Sequence, residues 1–278
     1  MIDFVASPET LKQCCAAAYD HDAVRVLVGD ALHPGGAQLT ERLGRILNLG
    51  PDTRVLDVAS GRGDGALVLA GRFGCEVVGL DYGWRNVEAA TNEARMRGLS
   101  DKVTFYCGDA ERLPFADGAF DAVVCECALC TFPDKPTAAD EFARVLKSGG
   151  RVGISDLTRS GPLPRELEGV AAWIACVADA RTLDEYCALL DGAGLAVGAV
   201  EEHDSALVDF VEAIRSRLFA TKIMVGLKKV ELPGIDLATV KDIVRHALAA
   251  ARSGVLGYAI VTAAKDAGPR ASDLKARA

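Results

Sequence analysis

The stretch Arg54-Val55-Leu56-Asp57-Val58-Ala59-Ser60-Gly61-Arg62-Gly63-Asp64-Gly65 constrains this chain more than any other. Four of its first five residues read as a buried strand, and the glycines that follow permit a tight turn. The run Ala66-Leu67-Val68-Leu69-Ala70 then reads as the start of a helix. Strand, glycine turn and helix N-terminus make a nucleotide-binding corner, because free N–H groups and backbone without Cβ approach a ligand closely. Gly61-x-Gly63-x-x-Ala66 satisfies the dinucleotide pattern, and Asp81 lies 20 residues past Gly61, where a ribose-binding acid belongs. That pattern alone is weak.

Asp57 points elsewhere. A carboxylate at a strand end faces a pyrophosphate badly, whereas S-adenosylmethionine (SAM) carries an ammonium and a sulfonium and no phosphate. Alternation after this corner is regular. Glu76 to Asp81 reads as a strand, Trp84 to Arg97 as a helix, and Val103 to Cys107 as a third strand. A fourth follows at Ala122 to Glu126 and a fifth at Arg151 to Asp156, after the turn Lys147-Ser148-Gly149-Gly150. Such alternation implies a parallel sheet with right-handed crossovers and ligands at the carboxyl ends of its strands. Asp57, Asp81, Asp109 and Glu126 all fall there.

In these motifs the chain resembles the class I SAM-dependent methyltransferases, over roughly residues 36 to 200. The family's first motif glycine is Ala59 here. The resemblance implies an α/β fold: a seven-stranded Rossmann-like sheet with helices on both faces and its last two strands antiparallel. It implies SAM as cofactor, with Asp57 anchoring the methionine end and Ala59, Gly61 and Gly63 letting the backbone pass beneath it. Asp81 would accept from the ribose hydroxyls, Tyr82 lean on the adenine, and Asp109 and Ala110 meet the adenine edge. Each acid also has a plainer reading as a helix N-cap. A nicotinamide-binding oxidoreductase is the competing class.

The stretch Val124-Cys125-Glu126-Cys127-Ala128-Leu129-Cys130 stands where this fold presents the transferred methyl. Cys125 is expected along the cofactor, and Cys127 and Cys130 at the acceptor. Zinc, iron–sulfur and thioredoxin-like layouts are not matched, so no metal is expected. Here the chain resembles arsenite methyltransferases, which carry one cysteine two residues past the fourth strand and another after the fifth. Cys127 and Cys176 occupy those positions; the family's further cysteine is missing, and Cys14 or Cys15 are the substitutes at hand. Soft thiolates would hold a soft trivalent centre, so lowered thiol pKa values are expected. The alternative acceptor is a small organic molecule, since the first four motifs also resemble quinone and natural-product methyltransferases. It would need a base, for which Glu126, His33 and His203 are available.

The remaining expectations concern organisation. Residues 1–48 read as N-terminal helices and a lid, with Ser7 capping a helix over 8–20 and the turn-rich Val28 to Gly36 as lid candidate. The core runs over 49–204, with a helical region over 160–195 that includes the capping box Thr182-x-x-Glu185. A helical insert over 205–256 precedes a last strand at 257–265, and the tail from Asp266 is expected to be disordered. Leu207, Phe210, Val211, Ile214, Leu218 and Met224 give the insert an apolar face that would pack on the domain or on a second subunit, as in a homodimer. A net charge of −8 argues against nucleic-acid and anionic-membrane partners. Nine cysteines and an N-terminus without a signal pattern imply reduced thiols and a cytoplasmic setting.

Overall fold

The computed structural model describes residues 7–20, 26–29, 33–168, 172, 175–226 and 236–267. Seven strands form one sheet: β1 (Arg54–Val58), β2 (Glu76–Asp81), β3 (Val103–Cys107), β4 (Phe120–Glu126), β5 (Leu146–Arg159), β6 (Leu195–Glu202) and β7 (Leu256–Lys265). Their order is β3-β2-β1-β4-β5-β7-β6. β1 pairs in parallel with β2 and β4, and β7 is antiparallel to both β5 and β6. This is the Rossmann-like class I methyltransferase sheet. The strand order reverses between β1 and β4, so the crevice for a ligand opens at their carboxyl ends.

Around the sheet lie α1 (Pro8–Asp20), α2 (Gly36–Ile46), α3 (Asp64–Phe73), α4 (Trp84–Met96), α5 (Lys135–Val145), α6 (Leu183–Gly192), α7 (Asp204–Gly226) and α8 (Leu237–Arg252). The central strands are buried on both faces, as parallel strands between helices must be. Their alternation divides the core in two. Val55, Val77 and Val124 pack with α2, α3, α7 and α8, while Leu56, Val78, Val123 and Cys125 pack with α5 and α6.

The insert, α7 and α8, belongs to the first of these cores through Leu207, Val211, Val244 and Leu248. Met224 falls outside the buried face and is exposed. From 160 to 168 the chain holds a 3-10 turn at Arg165–Leu167 and no α-helix; Ala172 is helical, and most of 169–174 of the expected helical region lies outside the described residues. Pro162 and Pro164 account for the missing helix over 160–168, since each lacks an N–H and biases the preceding residue away from helix. The Thr182–Glu185 box is present and opens α6. β5 begins earlier than expected, because Leu146 pairs with Phe120 ahead of the glycine turn. Residues 268–278 of the expected disordered tail, and part of the expected lid, lie outside the described residues.

Gly63 caps α3 with a φ of 86°, and a Cβ there would stand 2.6 Å from the Phe105 ring. Gly71, inside α3, has open space around it. Gly63→Ala is therefore expected to lower stability by at least about 1–2 kcal/mol in urea unfolding, while Gly71→Ala raises it by about 0.5–1 kcal/mol. Equal effects of the two substitutions would refute this account of the turn.

Candidate active site

Three acids reach one cleft because of sheet register. Asp57 stands opposite Val124, so Glu126, two residues on, projects on the same face as Asp57. Asp81 ends the neighbouring strand. Asp57 accepts from the Ala66 N–H in the first turn of α3. Asp81 Oδ2 accepts from the Gly61 N–H (2.8 Å), and Oδ1 from the Gly83 N–H (2.8 Å) and the Asn86 amide (3.2 Å). Glu126 Oε2 accepts from Thr40 (2.9 Å), and Oε1 lies 3.4 Å from the Ser155 hydroxyl. At Gly65 a Cβ would sit 3.1 Å from Glu126 Oε2 and 3.6 Å from Asp57 Oδ2. The two carboxylates thus converge on bare backbone.

Burial, then the charges of Glu126 and Asp81, push the Asp57 carboxyl well above its ordinary range. Six acids, Asp57, Asp64, Asp81, Asp109, Glu111 and Glu126, line the cleft against the bases Lys12 and Arg62. Lys12 is already held by Asp109 (2.7 Å) and by Glu111. A ligand with an ammonium and a sulfonium relieves this repulsion, whereas a pyrophosphate would add to it. The residues present therefore fit SAM.

Of the expected cofactor residues, Asp57, Ala59, Gly61, Asp81, Tyr82, Asp109 and Ala110 line the cleft. Ala59 takes the left-handed conformation (φ 57°) that glycine adopts at lower cost. Two assignments need correction. Gly63 does not line the cleft; it turns the chain into α3. Cys125 lies on the opposite face of β4 from Glu126, fully buried among Leu56 and Val123, because side chains alternate along a strand. Asp109 also differs from expectation: its Oδ1 accepts from the Glu111 N–H (2.9 Å) and its Oδ2 from Lys12. His33 lines the cleft, and its Nε2 is 3.4 Å from Thr40 Oγ1. His203 lies beside Glu201 instead.

The sequence places α1, and offers its cysteines, but does not show the rest of its cleft-facing side. Its Lys12, Cys15 and Ala16 line the cleft, and Glu9 accepts from the Tyr82 hydroxyl. The only sequence signal was the placement of Glu9, Lys12 and Ala16 three to four residues apart, on one helical face.

The cysteines do meet. Cys127 and Cys176 both adopt left-handed backbone, with φ of 52° and 63°. The Cys176 thiol donates to the Cys127 carbonyl (3.2 Å), and the side chains of Cys127 and Cys130 each hydrogen-bond to that of Cys176. Cys15 lies near enough to feel the charge of Cys176. Lowered thiol pKa values are not found. The contact with Cys176 and burial push Cys127 well up, burial and the same contact do so for Cys130, and burial carries Cys15 up to about 12. At Cys127, Cys130 and Cys15 the surroundings thus disfavour the thiolate. Burial, then the charge of Cys176, also raises Asp156, to about 7, although it accepts from the Cys130 and Leu157 N–H groups.

A methyltransferase-domain profile matches residues 56–154. Methyltransferase GfsG of Streptomyces halstedii is 36% identical over 60% of this chain and 61% of its own length, so the chain spans under two thirds of that relative. The 27-O-demethylrifamycin SV methyltransferase of Amycolatopsis mediterranei is 31% identical over 84% of this chain and 85% of its own. The chain belongs to the SAM-dependent methyltransferases. An arsenite methyltransferase of Halobacterium salinarum is 31% identical to this methyltransferase over 57% of the chain and 41% of that protein. Among solved structures, the [4+2]-cyclase SpnF shares the fold with a TM-score of 0.76 at 24% identity, covering 94% of this chain and 97% of its own. A geranyl diphosphate C-methyltransferase from Streptomyces coelicolor A3(2), solved with S-adenosyl-L-homocysteine, does so at 0.72 and 18%, covering 92% and 98%. No helix among the described residues is long and apolar enough to cross a membrane.

The raised Asp57 pKa fixes the sign of a pH effect. The cation binds the ionised carboxylate, so SAM affinity is expected to fall as pH drops through the raised range and to rise above it. Binding then releases a proton, which calorimetry in buffers of different ionisation enthalpy detects. Asp57→Asn should lose the proton release and at least tenfold in affinity, about 1.4 kcal/mol. Proton uptake on binding would contradict the assignment.

Proposed function

We propose that this methyltransferase carries the SAM methyl to a small acceptor whose soft trivalent centre is held by thiols, an arsenical bearing one organic group being the model case. The observation that carries the reading is the meeting of Cys127 and Cys176, 49 residues apart in sequence, at the wall of the donor cleft. A hydroxyl-bearing trivalent arsenical condenses with two thiols, forming two As–S bonds and releasing two waters, so no charge is buried. Cys15 of α1 lines the same cleft as Cys127 and is the candidate for a third thiol.

When bound, SAM supplies a methyl on a sulfonium that departs as a neutral thioether. The acceptor's lone pair needs no base. The protein's part is alignment at about 3–3.5 Å, which Cys127 supplies from the end of β4. Asp57 and Glu126 hold the positive end of the donor beside it.

An organic oxygen acceptor is the second reading. It is favoured by the likeness to the rifamycin methyltransferase over 84% of the chain and by the His33–Thr40–Glu126 chain at the cleft, which could take up a hydroxyl proton. Incubation with SAM and a panel of arsenite, methylarsenite, small thiols and phenols, read by mass spectrometry, separates the two. Methylarsenite is expected to be methylated, and Cys127→Ser and Cys176→Ser each to cost about a hundredfold in kcat/KM while SAM still binds. Full activity of both variants, or methylation of phenols alone, would exclude thiol capture.

A further inference from the structure

Behind the thiol pair lies a second cavity, of about 120 Å³. The insert makes half of its lining, with Val211 and Ile214 from α7 and Val244 and Ala247 from α8; Leu157 of β5 lines another part. Cys127 and Cys176 lie on its wall, and Cys127 also lines the donor cleft. No charged side chain is among the described lining residues. Val28 also lines the cavity, and its carbonyl accepts a hydrogen bond from Arg217 of α7 (2.6 Å). One thiol therefore separates two chambers of opposite character: an acidic one for the donor and an apolar one with no assigned occupant.

Size and lining limit the occupant. An apolar cavity of about 150 Å³ holds benzene and stays free of water, so this one accommodates a short alkyl group or a single aryl ring. A hydroxylated or charged group would lose its water there without gaining a partner. We infer that the helical insert forms a pocket for the apolar substituent of the acceptor, so that the enzyme selects a trivalent centre already carrying a hydrocarbon group over an inorganic one. This rests on the thiol-bound acceptor proposed above and specifies its substrate class. The substituent enters the cavity while the centre bonded to it stays at Cys127 and Cys176, its lone pair toward the cleft. It also gives the insert, absent from the minimal fold, a function.

Two arms test the inference on the full-length protein. In one, binding of fluorobenzene, which does not react with thiols, is followed by ¹⁹F NMR in the wild type, Ala247→Phe and Phe210→Ala. In the other, methyl transfer from SAM to methylarsenite and to phenylarsine oxide is measured for the same proteins. The wild type is expected to bind fluorobenzene and to favour the phenyl acceptor over the methyl one in kcat/KM. Ala247→Phe should lose the fluorobenzene signal and lower the phenyl-to-methyl ratio at least about tenfold. Phe210→Ala, which enlarges the cavity, should keep the signal and extend activity to a naphthyl arsenical. Circular dichroism on each variant distinguishes a filled cavity from a failed fold. If both arsenicals are methylated but neither variant moves the ratio, the pocket assignment is overturned and thiol capture stands. If the wild type binds SAM and methylates neither arsenical, thiol capture itself fails and the assignment falls with it.

Discussion

Mutual repulsion among Asp57, Asp81 and Glu126 is the constraint on which the rest of this molecule depends. A parallel sheet buried on both faces brings the three carboxyls to one end, where water is too scarce to screen them. The fold tolerates this only by supplying backbone N–H groups, from Ala66, Gly61 and Gly83, and the hydroxyl of Thr40. What remains is a field that a positively charged ligand satisfies better than the protein does. The donor site is thus a consequence of sheet register, and the glycines around it keep its floor open.

The cysteine side follows a different rule. The contact with Cys176 and burial push the Cys127 thiol well up, burial and the same contact do so for Cys130, and Asp156 beside them is raised to about 7. Ionising these groups is disfavoured, so the region differs in character from the acid-lined cleft beside it.

How much of this was legible in the sequence depends on whether a feature is local. The turn after β1, the acids at strand ends and the Thr182 capping box are written in a few adjacent residues and were readable. The meeting of Cys127 with Cys176 was accessible only through family likeness, because no spacing rule joins residues on separate elements. Cys125 was misplaced by ignoring the two-residue period that sends it and Glu126 to opposite faces. The thiol pKa expectation failed because helix packing, not sequence neighbours, removes water from those sulfurs. The helix over 8–20 was readable, but its cleft contacts were not for the same reason: nothing in Glu9 or Lys12 announces them until Tyr82, Asp109 and Glu111 are seen to receive those side chains.

The position of α7 and α8 along the chain carries a consequence for how such an enzyme diversifies. Every described residue that lines the cleft, from Lys12 to Phe132, is encoded before residue 133, whereas most of the described wall behind the thiols is encoded after residue 206. The two linings therefore come largely from separate stretches of polypeptide. A change in the later stretch that keeps its packing on the shared core can reshape that wall while leaving the cleft's lining in place, and one floor could in this way serve a succession of substrates.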